Sequence, residues 1–172
     1  MKKLKRDFET EFWDGKSKHT ALSLMQAFFK MDSLPTVKEK LYKIVMYSET
    51  REILLNEDPS VIFHYYLCLR SFLRAVHTLH SKGLHCKLNK AAACSCGISH
   101  CSLTDPDIEN SLKVFHSAFA EFSLKEFEYY ITDSVYYAFS SYQNEPEGIS
   151  MFIHLTRMLD AACIIVQRAE AD

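Results

Sequence analysis

Glycine and proline are scarce, at four each in 172 residues, which excludes collagen-like, low-complexity and linker-rich chains. No glycine-rich phosphate loop, no His-Glu-x2-His pair and no Ser-His-Asp arrangement supported by spacing is present, so the common motifs of nucleotide, peptide and ester hydrolysis are missing. No Asp or Glu stands between Asp58 and Asp105. Long apolar runs are also lacking: Ala161 to Val166 is typical, against the roughly 20 residues of a spanning helix, so no membrane association is expected. The N-terminus, MKKLKRDFETEFWDG, starts basic but is interrupted by Asp7, Glu9, Glu11 and Asp14, and it has no apolar core of a secretory signal. An intracellular, cytoplasmic protein is expected, whose six cysteines are thiols or metal ligands rather than disulfides.

What the chain does hold is apolar and aromatic weight. Apolar residues make up 48% and aromatics 13%, with 12 Phe and nine Tyr, enough for one ordinary core, so residues 1–172 are read as one domain. All eight Gly and Pro residues fall where the hydrophobic pattern breaks, and between them apolar residues recur at three and four, the helical period. The expected fold is all-α, a bundle of six or seven helices with a Cys/His-rich loop over about residues 83–104.

In order, a first helix carries Leu4, Phe8 and Phe12, and a second, from about Lys18 to Met31, carries Leu22, Met25 and Phe29. Thr36 and Glu39 form a capping box for a third, which runs towards Leu55. Asp58-Pro59 opens a long helix so rich in apolar residues that it reads as the central, widely buried one, ending near Gly83. Asp105-Pro106 repeats the start signal, Ser123 and Glu126 make a second capping box, and a final helix spans about Ile149 to Arg168.

The charge is uneven. Residues 1–104 hold 16 Lys/Arg and 10 Asp/Glu, whereas residues 105–172 hold 4 and 12. A basic first half suits an anionic partner such as nucleic acid, with Lys82, Lys87, Lys90 and the cluster Lys2, Lys3, Lys5 and Arg6 as the phosphate-neutralising groups. The acidic, tyrosine-rich second half, with Glu126, Tyr130, Asp133 and Tyr137 in one stripe, suits a protein partner or a second copy of the chain, and equally the boundary between core and solvent.

From His77 to Cys101, eight of 25 residues are histidine or cysteine, where the overall content of 14 predicts about two. The cysteines stand as Cys86-x7-Cys94-x-Cys96-x4-Cys101, with His85 and His100 beside the outer two. Thiolates and imidazoles in a group of four are the donors a structural zinc needs, so Cys86, Cys94, Cys96 and Cys101 are the expected ligands, with His85 or His100 in place of one. Free thiols, or a disulfide pair with three possible connectivities, are the alternatives. Cys68 and Cys163 lie in apolar helical runs and read as core residues. The function expected is a non-enzymatic binding or regulatory module.

Arg70, Arg74 and His77 share one stripe of the long helix, and Arg74 and His80, like Arg70 and His77, have Arg-x4–6-His spacing. This segment resembles the HEPN ribonucleases, helical bundles that cleave RNA with such a motif. The resemblance implies an alternative, RNA cleavage by Arg70, Arg74, His77 and His80. It departs from the family in having Ser71 or Ala75 after the arginine and in lying far from the last helices. Otherwise these arginines would pair with acidic residues of the second half, and His154 and Arg157 are read as structural.

Overall fold

A computed structural model of the chain describes residues 20–50, 53–54, 57–82, 102–140 and 148–170. Among these residues there are seven helices and no strands, as the all-α reading requires. They are α1 (Ala21–Met31), α2 (Leu34–Glu49), α3 (Pro59–Lys82), α4 (Asp105–Glu109), α5 (Leu112–Glu121), α6 (Leu124–Ala138) and α7 (Ile149–Glu170). The expected helix of Leu4, Phe8 and Phe12 lies outside the described residues.

Most helix starts follow from side chains that satisfy the free amides of a first turn. Thr20 and Ser23 cap α1 reciprocally, at 3.1 and 3.0 Å. The carboxylate of Asp58 accepts the Ser60 amide at 2.8 Å as α3 begins, and those hydrogen bonds hold it below the ordinary carboxylate value. Ser123 and Glu126 make the expected box, so a new helix, α6, begins there.

Two starts differ from expectation. The cap of α2 is Ser33, with its hydroxyl 2.9 Å from that of Thr36, not a box of Thr36 with Glu39. The cap of α4 is Thr104, boxed with Asp107, not Asp105. In both, the proline sits inside the first turn, where its missing N–H costs nothing, so α2 begins before Pro35 rather than after it and α4 begins one residue before the expected start.

Helix α2 lies along α6 and α1 along α3, while α3 also packs on α5 and α6. Helix α7 meets α1, α2, α4 and α5. Their shared core includes Phe28, Phe72, Phe115, Phe127, Leu41 and Leu159. The long helix α3 is not the most enclosed one: Val61, Phe63 and His64 near its start face solvent. That place belongs to α7, where the six residues Ala161–Val166 are all buried. Ala161, Ala162 and Cys163 are small enough for neighbouring helices to approach on several sides.

By length and composition α7 could cross a bilayer, a property that run-counting hides because polar residues punctuate it. More than half of its most apolar stretch is buried within the bundle.

Tyr130 points inward rather than into a surface stripe. Its ring lies against Gly148 so closely that a Cβ there would fall on Cε2 and stand 2.9 Å from Cδ2 and Cζ. Burial pushes its phenol up to about 12. The tyrosines of α6 that do face solvent are Tyr129 and Tyr136, each one position before the expected stripe.

Polar groups on α7 reach back to the rest of the chain. Asp160, 2% exposed, accepts Lys38 of α2 at 3.0 and 3.1 Å and both the backbone amide and the hydroxyl of Ser102 at 2.7 Å. Arg157 bonds Asp107 at 2.8 Å, and Arg168 donates to the Ile108 carbonyl at 2.8 Å.

Asp160→Ala leaves a half-buried ammonium and a backbone amide without this acceptor, and should cost about 3 kcal/mol in urea unfolding. Gly148→Ala forces the buried Tyr130 ring aside, with an expected loss of about 1–3 kcal/mol in the same measurement. Unchanged midpoints would show that the chain adjusts freely around either position.

Candidate functional site

The expected ligands His85, Cys86, Cys94, Cys96, His100 and Cys101 lie outside the described residues. Their flanks are described. On the near side, the last turns of α3 carry His77 and His80; on the far side, Ser102 is held by Asp160.

His77 and His80 are one turn apart on α3 and both meet α5. The Phe119 and His77 rings meet edge to face at 5.0 Å between centroids, and the His80 ring lies 5.2 Å from the same phenylalanine. His116 of α5 brings its Nδ1 to 2.9 Å from Nδ1 of His80, so one ring donates and the other accepts. Desolvation, then the neighbouring His116 and His77, holds His80 below its ordinary value of 6.5. Sequence reasoning missed His116, which stands 36 residues from His80 and has no local signal.

The two arginines of the stripe are engaged differently. Arg74 pairs with Glu128 of α6 at 2.6 Å, joining the two helices as the acidic-partner expectation has it. Arg70 lies over Tyr66, with its Nη1 3.3 Å from the hydroxyl and its guanidinium 5.9 Å from the ring centre. So Arg74 and His77 are placed against α6 and α5 respectively.

His154 and Arg157 do not form a site together. His154 Nε2 stands 2.8 Å from Glu121, which also accepts the Ser150 hydroxyl at 2.9 Å, while Arg157 serves Asp107. The hydrogen bonds from His154 and Ser150 hold the Glu121 carboxyl below the ordinary range. These groups latch α7 to α5 and α4.

Among the described residues, no three His, Cys, Asp or Glu side chains are grouped to hold a metal ion. A void of about 10 Å³ lies between α2, α3 and α6, and an open depression of about 240 Å³ is lined by Tyr42, Lys43, Met46, Tyr47 and Thr50 of and beside α2.

The chain matches no protein-family model, and neither the curated proteins nor the solved structures give a match.

The histidine cluster has a pH signature. Because His80 takes its proton less readily when folded, its contribution to stability is complete above pH 6.5 and is lost as pH falls through the lower folded value. In His80→Asn, stability should therefore decline less between about pH 7.5 and about pH 5.5 than in the parent, as read by urea unfolding. Parallel declines would mean that the cluster does not disfavour the proton.

Proposed function

We propose that this chain is a non-enzymatic binding or regulatory module, a helical bundle that carries a zinc-ordered Cys/His loop between its long third helix and its C-terminal helices. The observation that carries this reading is the concentration of eight His and Cys in the 25 residues from His77 to Cys101. From His85 to Cys101 the only large apolar residues are Leu88 and Ile98. Hydrophobic burial gives such a stretch little reason to be ordered, and metal ligation would supply the missing free energy.

Cys86, Cys94, Cys96 and Cys101 are the proposed ligands, with His85 or His100 in place of one. The flanks support the reading, since the segment is preceded by a histidine cluster packed on Phe119 and followed by Ser102, which is held by Asp160. Two fixed ends shorten the search that a loop must make to enclose an ion.

Such a loop, flanked by Lys82, Lys87 and Lys90 and with the N-terminal lysines on the same chain, is suited to anionic partners, nucleic acid among them, through phosphate neutralisation. The exposed Tyr129 and Tyr136 on the acidic half offer a surface to a protein partner or a second copy.

Metal analysis of protein prepared without chelator tests the proposal. One zinc per chain should co-purify, and Cys94→Ser with Cys96→Ser should abolish it while the helical content of the bundle persists. Metal-free protein, or zinc retained in that double variant, overturns the ligand set. RNA cleavage by the same preparation, lost in His77→Ala and His80→Ala, would replace the binding reading with the nuclease one.

A further inference from the structure

Near the start of α3, His64 and Cys68 stand one helical turn apart, and the end of α1 brings Met31 against Cys68. The Cys68 sulfur lies 3.8 Å from the Met31 sulfur and 3.7 Å from Nε2 of His64. Cys68 is fully buried, Met31 is 39% exposed and His64 faces solvent, so a buried thiol has two surface side chains over it.

We propose that Met31, His64 and Cys68 form a three-coordinate site for a soft monovalent cation, copper(I). Bonds of about 2.3 Å to sulfur and about 2.0 Å to an imidazole, spread evenly in a plane, place sulfur and nitrogen roughly 3.7 Å apart and two sulfurs roughly 4.0 Å apart. The two separations from the Cys68 sulfur, 3.8 Å to Met31 and 3.7 Å to His64, are already close to these, so a cation enters with small adjustments of the two surface side chains.

Donor chemistry and charge select the ion. Thiolate, thioether and imidazole together favour copper(I), whereas zinc and harder ions gain little from a thioether. On binding, the Cys68 S–H bond breaks, its proton leaves to solvent, and a sulfur–copper bond forms with no change of oxidation state. One thiolate and one monovalent cation make a neutral unit beside a fully buried sulfur, while a divalent ion would leave a net positive charge there at considerable cost. The exposed His64 and Met31 form the entry, so copper reaches the sulfur without opening the core.

The site goes beyond the zinc reading and does not depend on it. The test is uptake of copper(I) from a coloured competing chelator, under anaerobic reducing conditions, by the full chain carrying Cys86→Ser, Cys94→Ser, Cys96→Ser and Cys101→Ser. One equivalent should bind and produce thiolate-to-copper absorption in the ultraviolet. Met31→Leu and His64→Gln, both at the surface, should each weaken binding by at least about tenfold without altering the unfolding of the metal-free chain. Cys68→Ala should abolish binding. If the chain with four serines does not fold, the same competition on the unsubstituted chain should show one equivalent fewer in Met31→Leu with His64→Gln. No uptake, or uptake that ignores the Met31 and His64 substitutions, overturns the site whatever the zinc content proves to be.

Discussion

A single carboxylate, Asp160, sets the conditions that the rest of the bundle must meet. It sits on the most enclosed helix, where an ionised group without partners would cost several kcal/mol. Lys38 supplies the countercharge from α2, and Ser102 supplies two donors from the chain entering α4. A packing that shifts either partner strands a buried charge. The carboxylate thus selects one arrangement of α2, α7 and the start of the C-terminal half, even if an apolar residue of similar size would give comparable stability.

The remaining polar contacts of α7 repeat this logic at lower cost. Arg157, Arg168 and His154 reach Asp107, the Ile108 carbonyl and Glu121, and the Ser150 hydroxyl adds a neutral donor to the same Glu121. Apolar packing is non-directional and tolerates rotation of a helix. These hydrogen bonds fix the rotation, and they explain why a helix apolar enough to suit a bilayer still carries Asp160, Arg157 and Arg168.

Two kinds of metal chemistry are proposed for one chain, and they differ for a physical reason. The Cys/His loop offers several thiols and imidazoles, which suit a divalent, borderline ion. The group on α1 and α3 offers one thiol, one thioether and one imidazole over a buried sulfur, which suits a monovalent, soft ion. The histidines at the other end of α3 are spent on each other and on Phe119, where His80 resists its proton and helps join α3 to α5.

The sequence by itself determined the helical class, the order of the described helices and several of their starts, because capping and period are local: Asp58-Pro59 and Ser123 with Glu126 act within one turn. It also determined that a Cys/His-rich segment follows the long helix, since composition needs no geometry. Even locally, proline misled at Pro35, which lies inside a first turn rather than before one, whereas Asp105-Pro106 marked its start to within one residue. Only the tertiary structure decided which helix is enclosed, that Tyr130 turns inward while Tyr129 faces out, that His116 joins His80, and that Met31 reaches Cys68. Those pairings span tens of residues and depend on how each helix is rotated about its axis, a quantity set by packing on all its neighbours at once and by the few charged contacts, Asp160 foremost, that leave no alternative rotation satisfied.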